Sequence, residues 1–144
     1  IKKKYPNSCL IVLGAAPDYT VENNDVFYTG PIPHDLCLEV FAMADWMIHL
    51  AWLDHCPNVV VDAQASGCHV VCSASGGTSE IISDGTVIPD KEWDYSPIKL
   101  YDPPLLDFSN YYVIKKDDFN DISSCAQKYY KVFEQAASHV FKSI

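Results

Sequence analysis

ADWMIHLAWLDHCPNVVVDAQASGCHVVCSASGGTSE, residues 44–80, decides how this chain folds. Its run WMIHL (46–50) reads as a strand. Asp54 and Asp62 follow on either side of a Pro57-Asn58 turn, and Gly76-Gly77 comes 14 residues after Asp62. Val59-Val60-Val61 is β-branched and has the propensity of a strand. Against that, Asn58 is a good N-cap, Val59 and Ala63 share a helical face, and Ala63-Gln64-Ala65 are helix formers. Gly67 suits the position just past a helix end. The segment therefore reads as a helix over about residues 58–66, and CHVVCS (68–73) as the next strand. A strand leading into a carboxylate-bearing loop, with a helix start beside that loop, belongs at the carboxyl edge of an open α/β sheet. Helix N-termini there point at phosphate.

Outward from this stretch the same alternation continues. CLIVLG (9–14) is fully apolar and ends in glycine, as a central parallel strand does. VFYTG (26–30) gives a second short strand. The spacing of Leu36, Val40 and Ala44, and of Cys37 and Phe41, predicts a helix over about residues 34–44, with Pro33 at its start. Downstream, SGGTSEIISDG reads as a glycine loop, a short helical turn and an Asp84-Gly85 turn. Residues 88–110 lack periodicity and read as an irregular insertion, of a length that is usually functional. YYVIK (111–115) resumes a strand. A long helix then starts at Asp117 or Asp118, with Phe119, Ile122, Ala126, Tyr129, Phe133, Ala137 and Val140 at 3–4 spacing. The order predicts an α/β fold: an open, mainly parallel, Rossmann-like sheet with helices on both faces.

The 144 residues fit one domain. No apolar run approaches the roughly 20 residues of a membrane-spanning helix. The basic start IKKKYPNS leads into too few apolar residues for a secretory signal, so a cytoplasmic location is expected. Net charge is −9 and every basic residue is lysine. Such a surface argues against a nucleic-acid partner, which needs a basic stripe. It also leaves much of any phosphate capture to backbone N–H groups and helix dipoles, or else to a cationic residue outside this chain. Of the six cysteines, Cys9, Cys68 and Cys72 lie in strand-like runs and Cys37 and Cys125 in helix patterns, so reduced core thiols are expected rather than a disulfide framework. Neither His55-Cys56 nor Cys68-His69 has zinc-finger spacing, and no metal is expected. His49 reads as a satisfied core histidine, His34 and His139 as surface residues, and Tyr129-Tyr130 with Phe133 as core packing of the last helix.

In order along the chain stand Ala44-Asp45, the run 46–50, Asp54, Pro57, Asp62-Ala63, Ala65, Gly67, Val70-Val71, Gly76-Gly77, Glu80 and Asp84-Gly85. This set resembles the nucleotide-binding, C-terminal half of retaining GT-B glycosyltransferases, in the large group that contains sucrose synthases and many bacterial cell-surface sugar transferases. Tyr5-Pro6, LIVLG and VFYTGPIP match the family's layout upstream. The resemblance covers about residues 1–86; beyond them only a final strand and helix correspond.

The resemblance implies a nucleoside diphosphate sugar as donor, transfer with retention, and no cofactor or metal. It implies that Asp62 accepts hydrogen bonds from ribose hydroxyls and Asp54, the catalytic-site acid, holds hydroxyls of the transferred sugar. Backbone N–H groups of His55, Cys56, Asn58 and Val59, in the turn that passes through Pro57, would face phosphate or sugar. Gly76 and Gly77 would let the chain pass close to the donor, Gly14 and Gly30 would end strands at the ligand edge, and Ile32 would lie in the loop that touches the base. The chain departs from the pattern in three places: both family glutamates are aspartates here, His55 replaces a glycine, and Leu50-Ala51 replaces Pro-Ser. The family's domain begins one β-α unit earlier and works with an N-terminal acceptor-binding domain, in cis or in trans. Residues 1–144 are therefore expected to be one nucleotide-sugar-binding domain of a larger two-domain enzyme, inactive alone. Two rival readings are a degenerate glycosyltransferase-like module for assembly or protein binding, and a GT-B epimerase.

Overall fold

Short apolar runs separated by polar, glycine-bearing turns give ten elements in a computed structural model that describes residues 2–15, 18, 20–91, 96–97, 102–116 and 122–141. They are β1 (Leu10–Val12), β2 (Val26–Tyr28), α1 (His34–Met43), β3 (Trp46–His49), α2 (Asn58–Ala65), β4 (His69–Ser73), α3 (Thr78–Ile81), β5 (Asp84–Ile88), β6 (Tyr112–Lys115) and α4 (Ile122–Phe141). The strands form two sheets. β3, β4 and β5 run parallel in that order and β6 closes the edge antiparallel, while β1 and β2 form a separate parallel pair. The fold is thus α/β with a mostly parallel sheet and helices, as the alternation predicts.

The valine triplet is helical. Within α2 the inward stripe is Val60 and Ala63, both fully buried, rather than Val59 and Ala63; Val59 is exposed. Val60, Val70, Cys72, Ile82 and Val87 make one buried cluster joining α2 to β4, β5 and the end of α3. Phe41, Ala63 and Cys68 make a second between α1 and α2, which Leu13, just past β1, and Met47 of β3 reach. The two clusters fix α1 and α2 against the ends of β3 and β4.

Several expectations are corrected. Asn58 is the first helical residue, not the cap; Pro57 takes the cap position and no side chain caps the helix. The Asp84-Gly85 turn is the start of β5, and a Cβ on Gly85 would lie 2.6 Å from the Val70 carbonyl oxygen, so glycine there serves close strand approach. Cys9 is exposed, because β1 lies in the two-stranded sheet, where no residue is buried. Tyr129, Tyr130 and Phe133 are exposed as well: α4 is a helix, but these rings lie on solvent, with Tyr129 stacked on Phe133. The ends of the irregular segment are tied: Lys91 N–H donates to the Leu105 carbonyl at 2.6 Å and Asp107 N–H to that of Pro89 at 2.8 Å. The expected helix start at Asp117 or Asp118, and the side chains of His139 and Val140, lie outside the described residues.

Candidate functional site

Period-two geometry in β3 puts Met47 and His49 on the face that carries Val70 and Cys72 in β4. A histidine turned toward a core needs partners, and His49 has two. Its Nδ1 lies 3.2 Å from Oγ1 of the fully buried Thr78, and its Nε2 3.5 Å from Oδ2 of Asp54. A carboxylate can only accept, so the arrangement that satisfies all three groups puts a proton on Nε2 and lets the threonine hydroxyl donate to Nδ1. Asp54 therefore stands in the loop after β3 with one oxygen facing an imidazole and its side chain 40% exposed.

That loop is clasped by the one after β4. Gly77 N–H donates to the Asp54 carbonyl at 3.0 Å. A Cβ on Gly76 would lie 2.9 Å from the carbonyl oxygens of both Asp54 and Trp52, and one on Gly77 would strike the His55 carbonyl. The glycine pair thus has a local reason that spacing alone does not show: it lets one backbone lie on another. His55 and Cys56 are exposed at the turn and Pro57 is buried. Val60 and Val61 N–H groups return to the Pro57 carbonyl at 3.0 and 3.4 Å, so α2 begins with the N–H groups of Asn58 and Val59 outside its ladder.

Asp62 lies further along α2, beside the buried Ala63. Its Oδ2 accepts a hydrogen bond from Nε2 of His34, the first residue of α1, at 2.8 Å. Gly14 and Gly30 close the ends of β1 and β2, Gly14 N–H donating to the Gly30 carbonyl at 3.2 Å. From Gly30 the chain passes the half-buried Ile32 into α1. The structure therefore brings Asp54, His55, Gly76 and Gly77 together, joins Asp62 to the start of α1, and sets Gly14, Gly30 and Ile32 along the ends of β1 and β2. Among the described residues no hydrogen bond or ion pair links Asp54 to Asp62. Glu80 is exposed, its carbonyl accepting from the Lys116 ammonium at 2.8 Å. An open concavity lined by Glu22, Asn23, Asn24 and Asp25 lies in the loop before β2, apart from these groups.

Sequence reading placed His49 as a satisfied core histidine and His34 on the surface, and both stand so, but it gave neither a place beside these acids and passed over Thr78. A signal existed for His49, whose strand position shares the inward face with Met47. None existed for Thr78 or His34, whose partners lie 29 and 28 residues away. The buried thiols offer no nucleophile. Burial pushes Cys72 up to about 11, and burial with the nearby Asp45 carboxylate raises Cys68.

Comparison with models of protein families matches residues 4–95 to the family described as Glycosyl transferases group 1. The matched stretch contains β1 to β5 and every site residue named above except Lys116. No curated protein and no solved structure matches the chain.

Proposed function

Because the chain belongs to the group 1 glycosyl transferases, we propose that it binds a nucleoside diphosphate sugar and presents the sugar for transfer, with retention, to an acceptor held by a second domain. The diphosphate lies at the start of α2, where the Asn58 and Val59 N–H groups and the helix dipole supply the positive end that an arginine-free chain lacks. Asp62 accepts from the ribose hydroxyls, and Asp54 from hydroxyls of the transferred sugar. As the bond from the anomeric carbon to the phosphate oxygen breaks, charge grows on the departing diphosphate. Dipoles already fixed in place meet that charge without reorganising. His55, Cys56 and Pro57 shape the turn between the two acids, and Gly14, Gly30 and Ile32 line the base side.

The observation that carries this reading is the family match over residues 4–95 together with the helical valine triplet, which sets Asp62 on a helix following the Asp54 loop. Calorimetric titration of the chain with UDP, GDP and ADP tests it. One of the three is expected to bind, and Asp62→Ala to weaken that binding at least tenfold, in line with the roughly 1.5–3 kcal/mol of a hydrogen bond to a charged group. No binding by any of the three rejects the proposal.

A second reading, a non-catalytic module that binds protein, is favoured by the exposed aromatic residues Tyr129, Tyr130 and Phe133 of α4. It requires that Asp62→Ala leave partner binding untouched.

A further inference from the structure

We propose that His34 is a positioning residue for the donor's ribose: it holds Oδ2 of Asp62 and leaves Oδ1 for the vicinal diol. The inference rests on the donor-binding reading above. It starts from the 2.8 Å contact between His34 Nε2 and Asp62 Oδ2. Since the carboxylate only accepts, Nε2 carries the proton.

An exposed ion pair of two long side chains contributes little, because ordering the chains offsets the attraction. This pair is built differently. Asp62 has a short side chain and adjoins Ala63, which is fully buried. His34 opens α1 directly behind Pro33, whose ring fixes φ at −58°. α1 and α2 are then joined through Phe41, Ala63 and Cys68, with Cys37 and Leu38 packed alongside. Both ends of the hydrogen bond hang from one buried seam, so the acid is oriented before any ligand arrives. Orientation in advance lowers the ordering cost of binding.

The placement also suits the ribose rather than the phosphate. His34 lies two residues after Ile32, on the base side of the proposed donor, and its partner is the acid assigned to the sugar hydroxyls. A lysine ion pair, Lys2 with Asp25, lies away from these acids, before β2. Histidine, not lysine, addresses the acids of the site.

A role exercised through Asp62 predicts a larger loss for ligands with a 2′-hydroxyl than for those without one. The test is calorimetry on wild type, His34→Ala, His34→Gln, Asp62→Ala and the double variant His34→Ala/Asp62→Ala. The probes are UDP, GDP and ADP, and the 2′-deoxy form of whichever binds. His34→Ala is expected to weaken the ribonucleotide three- to tenfold and the deoxynucleotide, which keeps only the 3′-hydroxyl, by less. His34→Gln, which keeps a donor, should recover part of the loss, and His34→Ala should add nothing in the Asp62→Ala background. His34 is exposed, so its truncation leaves the core intact. Wild-type binding by His34→Ala, or equal losses for both sugars, overturns the positioning role alone. Absence of binding by wild type to all three diphosphates overturns the donor reading and this inference together.

Discussion

Gly77 and Gly30 are both glycines at the carboxyl end of a sheet, and they are glycine for opposite reasons. In the four-stranded region, a Cβ on Gly77 would run into the His55 carbonyl, and one on Gly76 would lie 2.9 Å from two further carbonyl oxygens. In the two-stranded region, a Cβ on Gly14 or Gly30 would meet nothing within 4 Å, but the backbone holds φ of +102° and +67°. The cores differ in parallel. Val70, Cys72 and Val87 are fully buried, whereas no residue of β1 or β2 is. One region is specified chiefly by what packs against it, with Gly76 at φ +74° answering to conformation as well, and the other by local conformation alone. Asp54 belongs to the packed region, so its rigidity derives from loop-on-loop contact and from His49, while the Asp62 carboxylate, on the packed helix α2, is oriented among the described residues by His34.

The largest effect separating the two regions is expected at Gly77→Ala. Backbone meets backbone there, and neither side is a flexible tip that can swing away. The loops of Asp54 and Gly76 must part, at a cost of about 3 kcal/mol and a Tm lower by about 10 °C. Thermal melts followed by circular dichroism measure this. A variant that melts with wild type would mean the two loops are not clasped.

Next in size is an alkaline penalty that only the packed region can supply. Cys72 stays a thiol up to about 11 in the fold, against 9.0 when unfolded, because burial penalises the thiolate. A raised value stabilises the fold fully below pH 9.0 and is lost as pH climbs toward 11. The loss approaches about 2–3 kcal/mol, at 1.36 kcal/mol per unit. Urea unfolding at pH 8 and pH 10.5 should show a steeper decline for wild type than for Cys72→Ala. Parallel declines would place the thiol outside the core.

The same contrast explains what could be read in advance. The α2 helix was legible because Ala63-Gln64-Ala65 and Gly67 outweigh three valines, and β3 and β4 because their runs are apolar and short. β5 was not legible: Asp84-Gly85 is a turn signal, and only the neighbouring Val70 carbonyl reveals why a strand would carry that glycine. The stripe of Tyr129 and Phe133 announces a helix but not what lies against it, since periodicity gives a face and not a neighbour. For the site, the two acids stood out by their places around one turn. Their histidine partners did not: the contact from His34 to Asp62 spans 28 residues, and His49, close to Asp54 in sequence, reads as a core histidine whose other partner, Thr78, lies 29 residues on.

The smallest effect is expected at Gly30→Ala, and it sharpens the comparison from the other side. No atom obstructs the new methyl, so the cost is conformational alone, about 1 kcal/mol for an L-residue held in the left-handed region. Gly30→Asn should fall below that, since asparagine visits this region more readily. Both should lower Tm by only a few degrees in the melts used for Gly77→Ala, and both should keep the hydrogen bonds that the Gly30 carbonyl accepts from Gly14 N–H and Thr29 Oγ1. If alanine at position 30 matched the loss at position 77, the open space around β1 and β2 would have to be filled by something that packs there. The two regions would then be specified in the same way. If alanine costs more than asparagine while both stay small, conformation sets the rim of the two-stranded sheet. The loop from Gly30 through Ile32 to His34 then owes its course to backbone geometry rather than to burial.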